Sequence, residues 1–119
     1  MTMTVNANCI DAAALLETVD NDRELLAELF DLFLTESRQQ VAELRAALAE
    51  KNFDALATTA HTLKGAASSL RLLAVARQAL LIESAARQRV LAAAAEAFAD
   101  LESALTEVPA AFRSVLATP

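Results

Sequence analysis

The stretch AHTLKGAASSL, residues 60–70, holds the side chains best suited to chemistry. His61 is the only histidine in the chain and Gly65, four places on, is the only glycine, with Lys64 between them. A neutral imidazole keeps one ring nitrogen with a free lone pair near neutral pH, and the neighbouring ammonium group suits an anionic ligand or partner. Other uses of a lone histidine fit less well. A metal site lacks a second histidine, and Cys9 and the nearest acids are not at ligand spacing. A hydrolytic triad would need Ser68 or Ser69 as nucleophile, on a continuous helix with no evident oxyanion hole.

Gly65 is informative because of what it replaces. Glycine in a helix interior costs about 1 kcal/mol relative to alanine, and alanine is abundant on either side. Leu56, Ala60, Leu63, Ala67 and Leu70 form a 4-3-4-3 apolar seam. At 100° per residue, His61 lies about 140° from the centre of that seam, Gly65 about 180°, Ser68 about 120° and Lys64 about 80°. The imidazole is therefore expected on the solvent side, with Lys64 snorkelling outward. The missing side chain at 65 leaves room for another molecule's surface to approach it.

Five helical segments are needed to carry this stretch. The first is expected from about Asn8 to Val19. The second is expected to begin at Asn21 as N-cap, with Glu24 reaching back, and to run to about Glu50. Lys51-Asn52 makes a tight connection, Asn52 caps the third helix, and Asp54 sits in its first turn. A break falls near Arg71–Leu73, and a fourth helix spans about Ala74 to Gln88 with Val75, Leu80 and Ile82 as its larger apolar residues. The last segment carries the seam Leu91, Ala94, Phe98, Leu101, Leu105, Val108, Phe112 and Val115, which Pro109 should kink or end. The expected fold is all-α: an antiparallel up-down-up-down four-helix bundle with the short N-terminal helix packed as a lid. It forms a single domain over 1–119, its bundle core at about 21–117.

Composition agrees and narrows the function. Hydrophobic residues make up 55% of the chain, with one glycine and two prolines, which favours helix throughout. A net charge of −6 argues against a nucleic-acid partner. The charge is uneven, since no acid occurs between Asp54 and Glu83 while Lys64, Arg71 and Arg77 do; this predicts a locally positive island around His61. A single cysteine fits a reducing compartment. Neither a signal-peptide pattern nor an apolar run of membrane-spanning length is seen. A cytoplasmic monomer without membrane attachment is expected.

The segment around His61 resembles the signature of histidine-containing phosphotransfer (HPt) domains. The likeness rests on AHTLKG followed by small residues, on the preceding run LLAELFDLFLTESRQQVAELRAALAEKNFDALATT, and on LLIESAAR at 80–87. Roughly residues 10 to 105 are covered. The resemblance implies a helical-bundle relay that carries a phosphoryl group between aspartates of receiver domains, those of response regulators or hybrid histidine kinases. His61 would be the phosphoryl acceptor and donor, and Lys64 the cation beside the phosphoryl oxygens. Gly65, Ser68, Ala57 and Arg71 would contact the partner, and Glu83, level with His61 across the turn, is a candidate to orient the ring. Arg71 stands where a second glycine is common in the family, and Ser69 where asparagine is frequent. No cofactor is expected on this chain, and Mg2+ is expected on the receiver only. The chain would be a carrier and not an autonomous enzyme. Alternatives are the phospho-accepting module of a chemotaxis-type histidine kinase, or a bundle used only for binding or scaffolding.

Overall fold

Residues 12–117 are described by the computed structural model. The expected start of the first helix at Asn8 lies outside them. The elements are α1 (Ala12–Thr18), α2 (Arg23–Glu50), α3 (Phe53–Ser69), α4 (Leu73–Arg87), α5 (Leu91–Thr106) and α6 (Val108–Ala117). Helices α2 to α5 form the antiparallel up-down-up-down bundle, and α1 lies over it with Leu15 and Leu16 in the core. No strand occurs among the described residues, nor any helix long and apolar enough to cross a membrane.

Helices α1 to α4 stop by one repeated device that uses no glycine. Asp20, Lys51, Arg71 and Arg89 take left-handed φ values of 53° to 60°. After each, the next N–H reaches back to a carbonyl five residues earlier: Asn21 to Leu16, Asn52 to Ala47, Leu72 to Ala67 and Val90 to Ala85, at 2.8–2.9 Å. This is the Schellman closure, which satisfies carbonyls that a helix end leaves unpaired. A side chain in that conformation costs about 1–2 kcal/mol. Lys51, Arg71 and Arg89 recover part of it by placing a cation at the negative end of a helix dipole.

The start of α2 differs from the expected one. Asn21 is itself left-handed, with φ 61°, and its N–H closes α1. The cap passes to Asp22, in an extended conformation, whose carboxylate accepts from Leu25 N–H at 3.0 Å. Asn52 caps α3 as expected, accepting from Ala55 N–H at 3.1 Å.

Packing follows the seams. Leu56, Ala60, Leu63, Ala67 and Leu70 are all buried. So are Ala94, Phe98, Leu101, Val108, Phe112 and Val115, whereas Leu91 and Leu105 are only partly covered. On α4 the buried stripe is Val75, Ala79, Ile82 and Ala86. Leu80 lies one residue off that stripe and remains half exposed, so it is not a core residue. Pro109 breaks the last segment at Glu107, because it has no N–H to offer the carbonyl of Leu105.

The break is useful. The 28 residues of α2 reach about 42 Å, against about 25 Å for the 17 of α3. The N-terminal half of α2 therefore overhangs the α3–α4 hairpin. Helix α6 folds onto that overhang, where Phe112 stacks on Phe30 with ring centroids 3.6 Å apart and meets Phe33 edge-on at 6.1 Å.

Two substitutions test the cap assignment. Asp22→Ala is expected to lower stability by about 1 kcal/mol in urea titration, as loss of a side-chain N-cap does. Asn21→Gly should leave it unchanged or slightly raised, since glycine accepts the left-handed conformation without strain.

Candidate functional site

The site is built by the α3–α4 hairpin. Asn52 and the apolar seam fix the rotation of α3, so that positions 61, 65 and 68 face outward. The reversal at Leu70–Leu72 then brings α4 back antiparallel. His61 and Glu83 are equidistant from Leu72, and helices of equal rise set them at one level.

Four side chains meet there. His61 Nδ1 lies 3.1 Å from Glu83 Oε2. Lys64 Nζ donates to Oε1 of the same carboxylate at 3.0 Å. Arg87 donates to Oε2 through Nη2 at 2.6 Å and Nε at 3.2 Å. The Glu83 side chain is only 8% exposed. A carboxylate so placed is tolerated because both oxygens are paired and hydrogen-bonded. The Arg87 hydrogen bonds, then Lys64, bring its pKa from an ordinary 4.5 down to about 2, against the opposing pull of burial.

That ionisation decides the histidine tautomer. A carboxylate can only accept, so in the neutral ring Nδ1 carries the proton and Nε2 the lone pair. The His61 side chain is 61% exposed, and Nε2 makes no hydrogen bond among the described residues. The arrangement presents a nucleophilic nitrogen to solvent, its partner nitrogen anchored to a fixed negative charge.

Gly65, one turn on, is exposed and helical. A Cβ built there meets nothing within 4 Å. Glycine is thus required neither by its own backbone nor by internal packing. Ser68 is exposed on the following turn, and Ser69 donates its hydroxyl to the Gly65 carbonyl at 3.1 Å.

Other placements correct the sequence expectations. Lys64 does not snorkel outward: it turns to Glu83 and is 28% exposed. Ala57 is buried against the core, at 8% exposure, and serves packing more than contact. Arg71 is exposed but sits in the turn at the end of α3, its left-handed φ accounting for a position where glycine would be at ease. Arg77 lines a groove with Leu73, Leu81 and Asp100, away from His61. The positive island therefore does not consist of Lys64, Arg71 and Arg77. The cations at His61 are Lys64 and Arg87, and a buried acid sits between them. Arg87 was legible only as the i+4 partner of Glu83, a spacing that brings opposite charges together on a helix. No group of three or more His, Cys, Asp and Glu side chains among the described residues is placed to hold a metal ion.

Comparison with known proteins is consistent with this geometry. A family model described as Hpt domain matches residues 28–111. No match was found among curated proteins. The crystal structure of histidine-containing phosphotransfer protein B from Pseudomonas aeruginosa PAO1 is similar to this chain, with a TM-score of 0.80 and 27% sequence identity. The match covers 92% of this chain and 94% of that one.

The ionised carboxylate has a measurable signature. Glu83 binds its proton less tightly in the folded protein than in the unfolded chain, so its contribution to stability is complete above pH 4.5 and is lost as pH falls toward about 2. Urea titrations of wild type and Glu83→Gln are expected to differ by a constant amount above about pH 5 and to converge below it. Because Arg87 is 63% exposed, the gap should be modest and should shrink in high salt.

Proposed function

This chain belongs to the Hpt domain family, and on that premise we propose that His61 accepts a phosphoryl group from the aspartyl phosphate of one receiver domain and passes it to the aspartate of another. Hpt domains are histidine phosphotransfer modules of phosphorelays, phosphocarriers and not catalysts. The observation that carries the reading is the bond from His61 Nδ1 to ionised Glu83, because it leaves Nε2 as the outward-facing nucleophile.

In the proposed step the Nε2 lone pair attacks phosphorus in line with the acyl phosphate bond. The N–P bond forms as the P–O bond breaks, and its electron pair leaves on the receiver's aspartate. Such transfers run through a loose transition state, in which alignment and charge stabilisation dominate. The product is a phosphoramidate on a cationic ring whose Nδ1–H stays with Glu83. Lys64, one turn from His61, offsets charge on the phosphoryl oxygens. Transfer to the second receiver reverses these events. The divalent cation, Mg2+, and most of the catalysis are assigned to the receiver. Receivers of response regulators or hybrid histidine kinases are the partner class, and Gly65, Ser68 and Arg71 form the platform on which one settles.

The test is incubation with a panel of receiver domains charged with labelled acetyl phosphate. Wild type is expected to acquire alkali-stable, acid-labile label, and His61→Gln none; equal labelling of the two would end the proposal. Gly65 separates docking from chemistry. Gly65→Ala should raise stability by about 1 kcal/mol. Gly65→Gln should slow transfer from a receiver by more than about tenfold through misplacement of the reacting groups. Its uptake from phosphoramidate, a donor too small to need the clearance, should be unchanged.

A further inference from the structure

The partition of donors over the two Glu83 oxygens has a consequence for the relay step. Lys64 alone holds Oε1, while His61 and Arg87 share Oε2. Lys64 can therefore leave the carboxylate without breaking either of the other contacts. Its long stem and partial exposure give it the freedom to do so, and His61, three residues earlier on α3, lies within reach on the same face. Arg87 is differently held. It lies four residues beyond Glu83 on α4, and its fork places two nitrogens on one oxygen.

A phosphoryl group on Nε2 brings close to two negative charges to a site that already holds a buried carboxylate. Lys64 serves the phosphoryl oxygens only by giving up Oε1. Were it the sole side-chain cation beside the ring, its departure would leave the buried carboxylate paired only with the phosphorylated imidazolium, whose own charge is shared with the new dianion. The carboxylate would then take up a proton or swing away, and the Nδ1–H bond would be lost when the ring most needs it. Two cations on one carboxylate avoid that conflict.

We propose that Arg87 is a positioning residue that holds Glu83 on the His61 ring while Lys64 moves from Glu83 to the phosphoryl group. This rests on the relay reading above. In the free protein Arg87 is backed by Lys64, which also neutralises Glu83. In the phosphorylated protein it is the only cation left on the carboxylate besides the phosphorylated ring itself. Removing it forces Lys64 to choose between the two anions.

The test uses the whole chain, with potassium phosphoramidate as donor so that receiver docking plays no part. Wild type should show the His61 Nδ1–H resonance in 15N-edited spectra both before and after phosphorylation. Arg87→Ala should keep it in the free form and lose it in the phosphorylated form. Its uptake should slow by about tenfold, the rate equivalent of one charge-assisted hydrogen bond. Arg87→Lys, with one nitrogen for Oε2, should restore the resonance and most of the rate, and it also serves if Arg87→Ala proves poorly folded. In a double-mutant cycle, Lys64→Ala should cost more in the Arg87→Ala background, where it removes the last lysine or arginine from Glu83, than in wild type. An Arg87→Ala protein that takes up phosphate at the wild-type rate with the resonance intact in both forms overturns this inference and leaves the relay reading standing. A wild-type protein that takes no label from phosphoramidate or receivers overturns both.

Discussion

One requirement organises the working face of this protein: the Glu83 carboxylate must stay charged although the bundle has nearly closed over it. A lone carboxylate so placed would protonate, become a donor as well as an acceptor, and lose its authority over the imidazole. The two cations beside it prevent that. The rest of the hairpin serves their placement. The apolar seam of α3 sets which way His61 and Lys64 turn, and the closure at Arg71 and Leu72 sets the level at which α4 returns. Arg87 then needs only the pitch of its own helix.

The use of glycine makes sense in the same light. At Asp20, Lys51, Arg71 and Arg89 the backbone takes the conformation in which glycine is least strained, and each time a larger residue stands there. The single glycine stands where the backbone is ordinary helix and alanine would have been better for folding. Stability is thus forgone at 65, on an exposed helical turn beside His61 with open space around it, and not for any need of the chain's own backbone.

Much of this was legible in the residues. The 4-3-4-3 seam of α3 fixes its rotation, so the exposure of His61 and Gly65 could be read without coordinates. The tight links at Lys51-Asn52 and Arg71–Leu73 specify antiparallel neighbours, and the midpoint of the second sets Glu83 level with His61, although the sequence leaves the contact itself open. What escaped was decided by contacts of short reach. Asn21 and Asp22 are both good caps, and only the backbone conformation required to end α1 selects between them. Lys64 sits at the edge of the seam, where its stem can turn either way; the charge of Glu83 draws it inward. Arg77 counts toward a positive stretch in one dimension but lies on another side of α4 in three. Leu80 reads as core by type, yet the small residues Ala79 and Ala86 are what the close approach of α3 and α4 admits.

His61 lies eight residues from Phe53 and eight from Ser69, at the midpoint of α3. Helix ends fray at little cost in free energy, but the centre of a helix packed on both flanks opens only with the molecule around it. Amide hydrogens around His61 should accordingly be among the slowest to exchange with solvent. In this architecture the His61 ring stands on the central turns of a helix packed against both of its neighbours, not on a loop or a helix end.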